Sequence, residues 1–121
     1  MADELTEKIV GAAIEVHRIL GPGLLESIYE EALCYELSLR GIPVQRQVDI
    51  VVWYKDKSIG GQRLDLVVSD AVIVEIKSLR NLPEVASAQV LSYLKASGIK
   101  RGLLLNFGEA RLIDGIKRFS L

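Results

Sequence analysis

The chain has 121 residues, half of them hydrophobic and 26% charged, which excludes a disordered polymer and predicts one folded domain over residues 1–121. With 15 basic against 16 acidic residues the net charge is -1, which does not advertise broad affinity for nucleic acid and does not exclude it either, since a local basic rim could serve. A single cysteine excludes an internal disulfide, no stretch approaches the ~20 apolar residues of a membrane span, and the acidic start is unlike a signal peptide, so the expected setting is a reduced cytoplasm without membrane contact.

Asp3 to Leu20 reads as a first helix, with Leu5, Ile9, Ala12, Ala13, Val16 and Leu20 recurring at spacings of three and four. Asp3 is placed to cap it, and Gly21-Pro22-Gly23 breaks it. This turn lacks the lysine of a phosphate-binding loop. His17, the lone histidine, has no partner at metal-ligand spacing and reads as a helix residue without chemistry. Leu24 to Arg40 reads as a second helix along Leu25, Ile28, Tyr29, Ala32, Leu33, Glu36 and Leu37, ended by Gly41. Cys34 within it reads as a buried, inert thiol, and Glu30 and Glu31 as surface residues.

Val44 to Tyr54 reads as a long strand with Val48, Ile50, Val52 and Tyr54 on one face. Lys55-Asp56-Lys57-Ser58 is a polar turn, and Gly60-Gly61 suggests a bulge where the chain restarts. Two further strands carry Asp65 and Lys77, giving a three-strand antiparallel meander. Leu79 to Pro83 is a loop, and Glu84 to Ser97 a helix with Val85, Ala88, Val90, Leu91 and Leu94 apolar and Gln89 and Tyr93 four apart on one face. Arg101 to Phe107 is an apolar run typical of a strand buried on both faces, with Asn106 an odd polar residue at its end. Arg111 to Phe119 reads equally as a last strand or a short helix. A strand after a crossover helix lies parallel to its neighbour, so the order ααβββαβ plus a terminal element predicts an α/β (α+β) fold with a mixed central sheet flanked by helices.

The informative stretch is Arg63 to Ser78, RLDLVVSDAVIVEIKS. Alternation puts Ile73, Glu75 and Lys77 on one face of the later strand. In the earlier strand Leu64, Leu66 and Val68 share a face opposite Arg63, Asp65 and Val67, so Arg63 is a candidate ion-pair partner for Asp65. If Ser69-Asp70-Ala71 is the hairpin loop, Val68 pairs with Val72 and Asp65 lies opposite Glu75. Two facing carboxylates repel, and Lys77 relieves this only in part. A hard divalent cation relieves it better, which leaves the lysine to act on a water or a phosphate. A merely solvated charged strand face is the plain alternative.

Gly23-Leu24-Leu25-Glu26-Ser27-Ile28-Tyr29, then Asp65, then Glu75-Ile76-Lys77, then Gln89 and Tyr93, then GLLLNFG and IKRF, form an ordered set over nearly the whole chain. In this set the chain resembles the GxxExxY proteins, a branch of the PD-(D/E)XK nuclease superfamily, with Leu64 where a proline often precedes the aspartate. The resemblance implies a restriction-endonuclease-like core and a nuclease using Mg2+ or Mn2+. It implies metal binding by Asp65, Glu75 and the backbone carbonyl of Ile76, with Glu26 as a ligand, direct or through water. Lys77 would align or activate the attacking water, and Gln89 and Tyr93 would hold the substrate backbone or brace the site.

Two readings follow. One is a metal-dependent nuclease acting on DNA in preference to RNA, with Asp65, Glu75 and Lys77 as its catalytic set. The other is a non-catalytic module that keeps the fold and binds nucleic acid or protein. A core this small has few loops to grip a duplex, which suggests a homodimer or an accessory protein.

Overall fold

The structure, a computed structural model, describes residues 3–121; the first two residues of the expected 1–121 domain lie outside that description. Two helices come first, α1 (Glu4–Leu20) and α2 (Glu26–Leu39). They are followed by β1 (Val44–Tyr54), β2 (Lys57–Val68) and β3 (Val72–Lys77), then α3 (Val85–Ser97), β4 (Arg101–Asn106), a 3-10 turn over Leu112–Gly115 and β5 (Ile116–Ser120). The undecided last segment is thus both a helical turn and a strand.

The strands form one mixed sheet in the order β1-β2-β3-β4-β5. β3 and β4 run parallel, as the crossover through α3 requires, and the other neighbours are antiparallel. Alternation along β3 and β4 sorts the core into two layers. Val72, Val74, Ile76, Leu103 and Leu105 pack under Ile9, Ala13, Val16, Leu33 and Leu37 of α1 and α2. Ile73 packs with Tyr93 and Leu94 of α3, and Leu104 with Ala86 and Val90. Both faces of these strands are covered, which is why β4 is a continuous apolar run. Gly102 lies against Val90 and Leu94, so a Cβ there would press on the Val90 side chain of α3.

Several local expectations change. The second helix starts at Glu26, not Leu24, because Leu24 is held extended: its N–H donates to the Tyr29 hydroxyl and its carbonyl accepts from Ser78 Oγ. Lys57 and Ser58 belong to β2, so the turn is only Lys55-Asp56, with Lys55 at φ 55°. The bulge falls where the paired glycines suggest it, the register shifting between Ile50–Gln62 and Val52–Ile59 with Gly61 at φ 107°. Asp3 does not cap α1 with its side chain; the carboxylate accepts from Thr6 and pairs with Arg101.

Other residues expected at the surface or in the core trade places. Glu30 is buried, not a surface residue, because Arg46 and Gln47 of β1 cover it with hydrogen bonds of 3.0 and 2.8 Å. Glu31 is exposed as expected. On α3 the buried face is Ala86, Val90, Tyr93 and Leu94, while Val85 points outward. Cys34 is half-buried, and burial pushes its thiol pKa up, in keeping with an inert sulfur. His17 is buried against Phe107, with Nε2 2.9 Å from the Glu109 carbonyl.

Candidate active site

The hairpin register is the one that the Ser69-Asp70-Ala71 loop dictates. Val68 pairs with Val72, Val67 with Ile73 and Leu66 with Val74. Ser69 and Asp70 both take left-handed backbone angles, φ 51° and 54°, and Ala71 N–H closes the turn onto Val68. Carried one step further, this register sets Asp65 opposite Glu75. The ladder stops at that step: Asp65 Oδ2 itself accepts the Ile76 N–H at 2.8 Å. Asp65 therefore stands where β2 and β3 part.

The strict alternation expected for β2 also ends here. Leu66 and Val68 pack under α1 and α2, whereas Leu64 joins Ile73 and Leu94 on the α3 side. Across the ladder, Gln47 takes φ 52° between the paired residues Arg46–Leu66 and Val48–Leu64. Arg63 pairs with Asp49 at 3.0 Å and not with Asp65, because Asp49 is its ladder partner on β1.

Glu75 is 5% exposed and Lys77 half-buried, with Lys77 Nζ 3.6 Å from Glu75 Oε2. The other oxygen, Oε1, is buried with no hydrogen-bond partner among the described residues. Burial first, and the charge of Asp65 second, push the Glu75 pKa up to about 8, and Lys77 offsets only part of this. Tyr93 reaches the same place from α3. It is 5% exposed, its hydroxyl accepts from Gln89 Nε2 at 2.8 Å, and burial followed by the charge of Glu75 raises its pKa.

Asp65, Glu75, Lys77, Gln89 and Tyr93 thus form one connected group on the α3 face of the sheet. Glu26 sits in the first turn of α2 and lines a cleft of about 850 Å³ with Ser27, Ser78 and Arg80. It is not among the groups that shift Glu75. Among the described residues no three His, Cys, Asp or Glu side chains converge as a metal cluster. The donors present still suit a hard divalent cation: two adjacent carboxylates, one with a buried oxygen lacking any partner, are what such an ion would neutralise. Ile76 lies between Glu75 and Lys77 with its N–H held by Asp65.

Three residues that build this geometry were not assigned roles from sequence. Tyr29 is fully buried, stacks on Phe107 at 4.4 Å, and its hydroxyl bridges Leu24 N–H and the Gly21 carbonyl, so it fixes the loop that leads to Glu26. Ser78, next to Lys77, anchors that loop to the end of β3 with a 2.6 Å hydrogen bond. Asn106, 1% exposed and paired with Lys77 across the parallel ladder, holds Leu79 by both its N–H and its carbonyl at 3.0 Å, and also accepts from Gly108 N–H. A Cβ at Gly108 would collide with the Leu79 backbone. The signals were present in the sequence: a polar residue ending a buried strand, and a glycine two positions on.

The fold is a mixed sheet with a parallel crossover, whose parting strands present a carboxylate pair and a lysine. A family model described as the PD-(D/E)XK nuclease superfamily matches residues 3–119, and the chain belongs to that superfamily. No curated protein and no solved structure matches it. No helix among the described residues is long and apolar enough to cross a membrane.

Proposed function

We propose that this chain is one nuclease-like domain of the GxxExxY branch, a metal-dependent nuclease that hydrolyses phosphodiester bonds, of DNA in preference to RNA, in the cytoplasm. The observation that carries the reading is the Glu75 carboxylate: buried, next to Asp65, in contact with Lys77, and with one oxygen unpartnered. Burying such a group is costly unless a ligand completes it.

Asp65, Glu75 and the Ile76 carbonyl would hold Mg2+ or Mn2+, with Glu26 reaching it directly or through water. Bound there, the ion supplies Lewis-acid stabilisation of the phosphate and a more acidic water. Asp65 keeps Ile76 in register through the 2.8 Å hydrogen bond. Lys77, two residues from Glu75 on the same strand face, orients the water and steadies charge developing on the phosphate. Gln89 and Tyr93 present an amide and a phenol from α3 to the substrate backbone. A core this small has few loops to grip a duplex, so a homodimer or accessory protein would extend that grip.

The test is incubation of the purified protein with linear duplex, single-stranded and supercoiled DNA and with RNA, with Mg2+, with Mn2+ and with chelator, beside a Lys77→Ala control. Metal-dependent cleavage lost in the control is the expected result. That no three metal-ligating side chains converge among the described residues favours the second reading, a binding module, and absence of cleavage under every condition would select it.

A further inference from the structure

The β1–β2 hairpin extends past the helices that cover the rest of the sheet. Every residue from Val51 to Arg63 is exposed. This arm carries the chain's only tryptophan, Trp53, 67% exposed, beside Tyr54 at 62%. Exposed strand ends are ordinarily blunted with charge and small residues, so two adjacent exposed aromatics at a hairpin tip call for a ligand.

The register constrains what that ligand is. Trp53 pairs with Ser58 and Tyr54 with Lys57, so alternation puts one aromatic on each face of the ribbon. A protein partner laid against one face would leave the other ring in water. Bases of a nucleic-acid strand have π faces that engage rings on both sides of a narrow ribbon. The cations agree: Lys55 Nζ stands 5.5 Å from the Tyr54 ring centroid, and Lys57 flanks it. Lys55 and Lys57 outnumber Asp56 between them, so the tip is net positive and meets opposite charge against phosphates. The arm also borders α3, the helix that carries Gln89 and Tyr93. A groove of about 490 Å³ lined by Val52, Trp53, Gln62, Ser92 and Lys95 joins it to α3, where Gln89 lies one helical turn before Ser92.

We propose that the β1–β2 arm is a single-stranded-DNA-binding element, in which Trp53 and Tyr54 stack on unpaired bases and Lys55 and Lys57 contact the adjoining phosphates. It rests on the nuclease reading for its biological sense, and it assigns that site a substrate with an unpaired stretch beside the scissile bond. The near-neutral net charge leaves stacking as the main source of affinity.

The experiment titrates the full-length Lys77→Ala protein with oligothymidylate, with blunt duplex DNA and with oligouridylate, reading Trp53 emission and the anisotropy of labelled DNA in parallel. Saturable quenching, strongest with oligothymidylate, is expected. In the same background Trp53→Ala should weaken that binding roughly tenfold while Trp53→Phe keeps most of it. Trp53 is exposed, so neither change disturbs the core. Anisotropy that rises without any change in Trp53 emission would overturn the proposal, as would the absence of DNA binding. An emission shift that follows protein concentration alone, with a dimer in sedimentation, would reassign the arm to self-association. Quenching that persists while no metal-dependent cleavage is found with the unmutated chain would leave the arm standing and remove the nuclease reading.

Discussion

Glu75 shows most directly how one residue couples folding to chemistry. Its carboxyl, ordinarily near 4.5, is raised to about 8 in the folded chain by burial and by Asp65. The folded state therefore holds a proton that the unfolded chain releases above about 4.5. That contribution to stability is fully present below pH 4.5 and is lost as pH rises through about 8. Metal-free protein should lose denaturation midpoint over this interval, and Glu75→Gln should flatten the slope; a wild-type slope in the variant would put the proton elsewhere. A cation bound by the same oxygens must displace that proton, so apparent Mn2+ affinity should climb toward pH 8 and level off above it, as calorimetry at several pH values would record. For the proposed reaction, Lys77→Ala and Asp65→Ala should each cut cleavage by about 100-fold or more without unfolding the chain. Cleavage by Lys77→Ala at the wild-type rate would refute its assigned role.

At the scale of elements, the start of α2 is a construction shared by distant segments. Tyr29 and Ser78 hold Leu24 from two sides, and Glu26 follows two residues later. Tyr29→Phe keeps the ring stacked on Phe107 but strips the hydroxyl from Leu24 and Gly21. It should cost about 1–3 kcal/mol in a denaturant titration, the usual penalty for leaving buried polar groups unpaired. If Glu26 serves the metal, Glu26→Gln should weaken metal binding, and the Tyr29→Phe change should weaken it in the same direction; unchanged affinity in Glu26→Gln would take that residue out of the site. The β3 end is secured from β4 in a comparable way. Asn106 mimics a strand with its amide, holding Leu79 by N–H and carbonyl, so Lys77 is delivered at a fixed height above the parting strands. These ties were not legible from spacing, since each joins residues at least five positions and up to 54 apart.

For the whole molecule, the parting of β2 from β3 decides what the sheet is able to hold. Continued pairing would have buried the Ile76 N–H in a backbone ladder and left Asp65 as an ordinary strand residue. Parting converts a stretch of sheet into a carboxylate-lined notch, with α3 closing one side through Tyr93. A cation seated there binds only the folded chain, so saturating Mg2+ or Mn2+ should raise its stability, by about 2.7 kcal/mol at a hundredfold excess over the dissociation constant. Thermal unfolding with and without metal checks this, and an identical midpoint at pH 8 would count against the site.

The sequence by itself determined the element order, the parallel crossover and the hairpin register. These follow from local chemistry: apolar periodicity, the three-residue loop Ser69-Asp70-Ala71 and the requirement that a crossover helix return a strand in parallel. The ordered set from Glu26 to Tyr93 also carries the resemblance to the superfamily without reference to packing. What only the tertiary structure decided was burial and partnership. Glu30 reads as a surface glutamate until Arg46 and Gln47 cover it, and Arg63 belongs to Asp49 because of the β1 register. A charged side chain's role is set by which charges and how much water remain within a few ångströms of it, and only the packed chain fixes those.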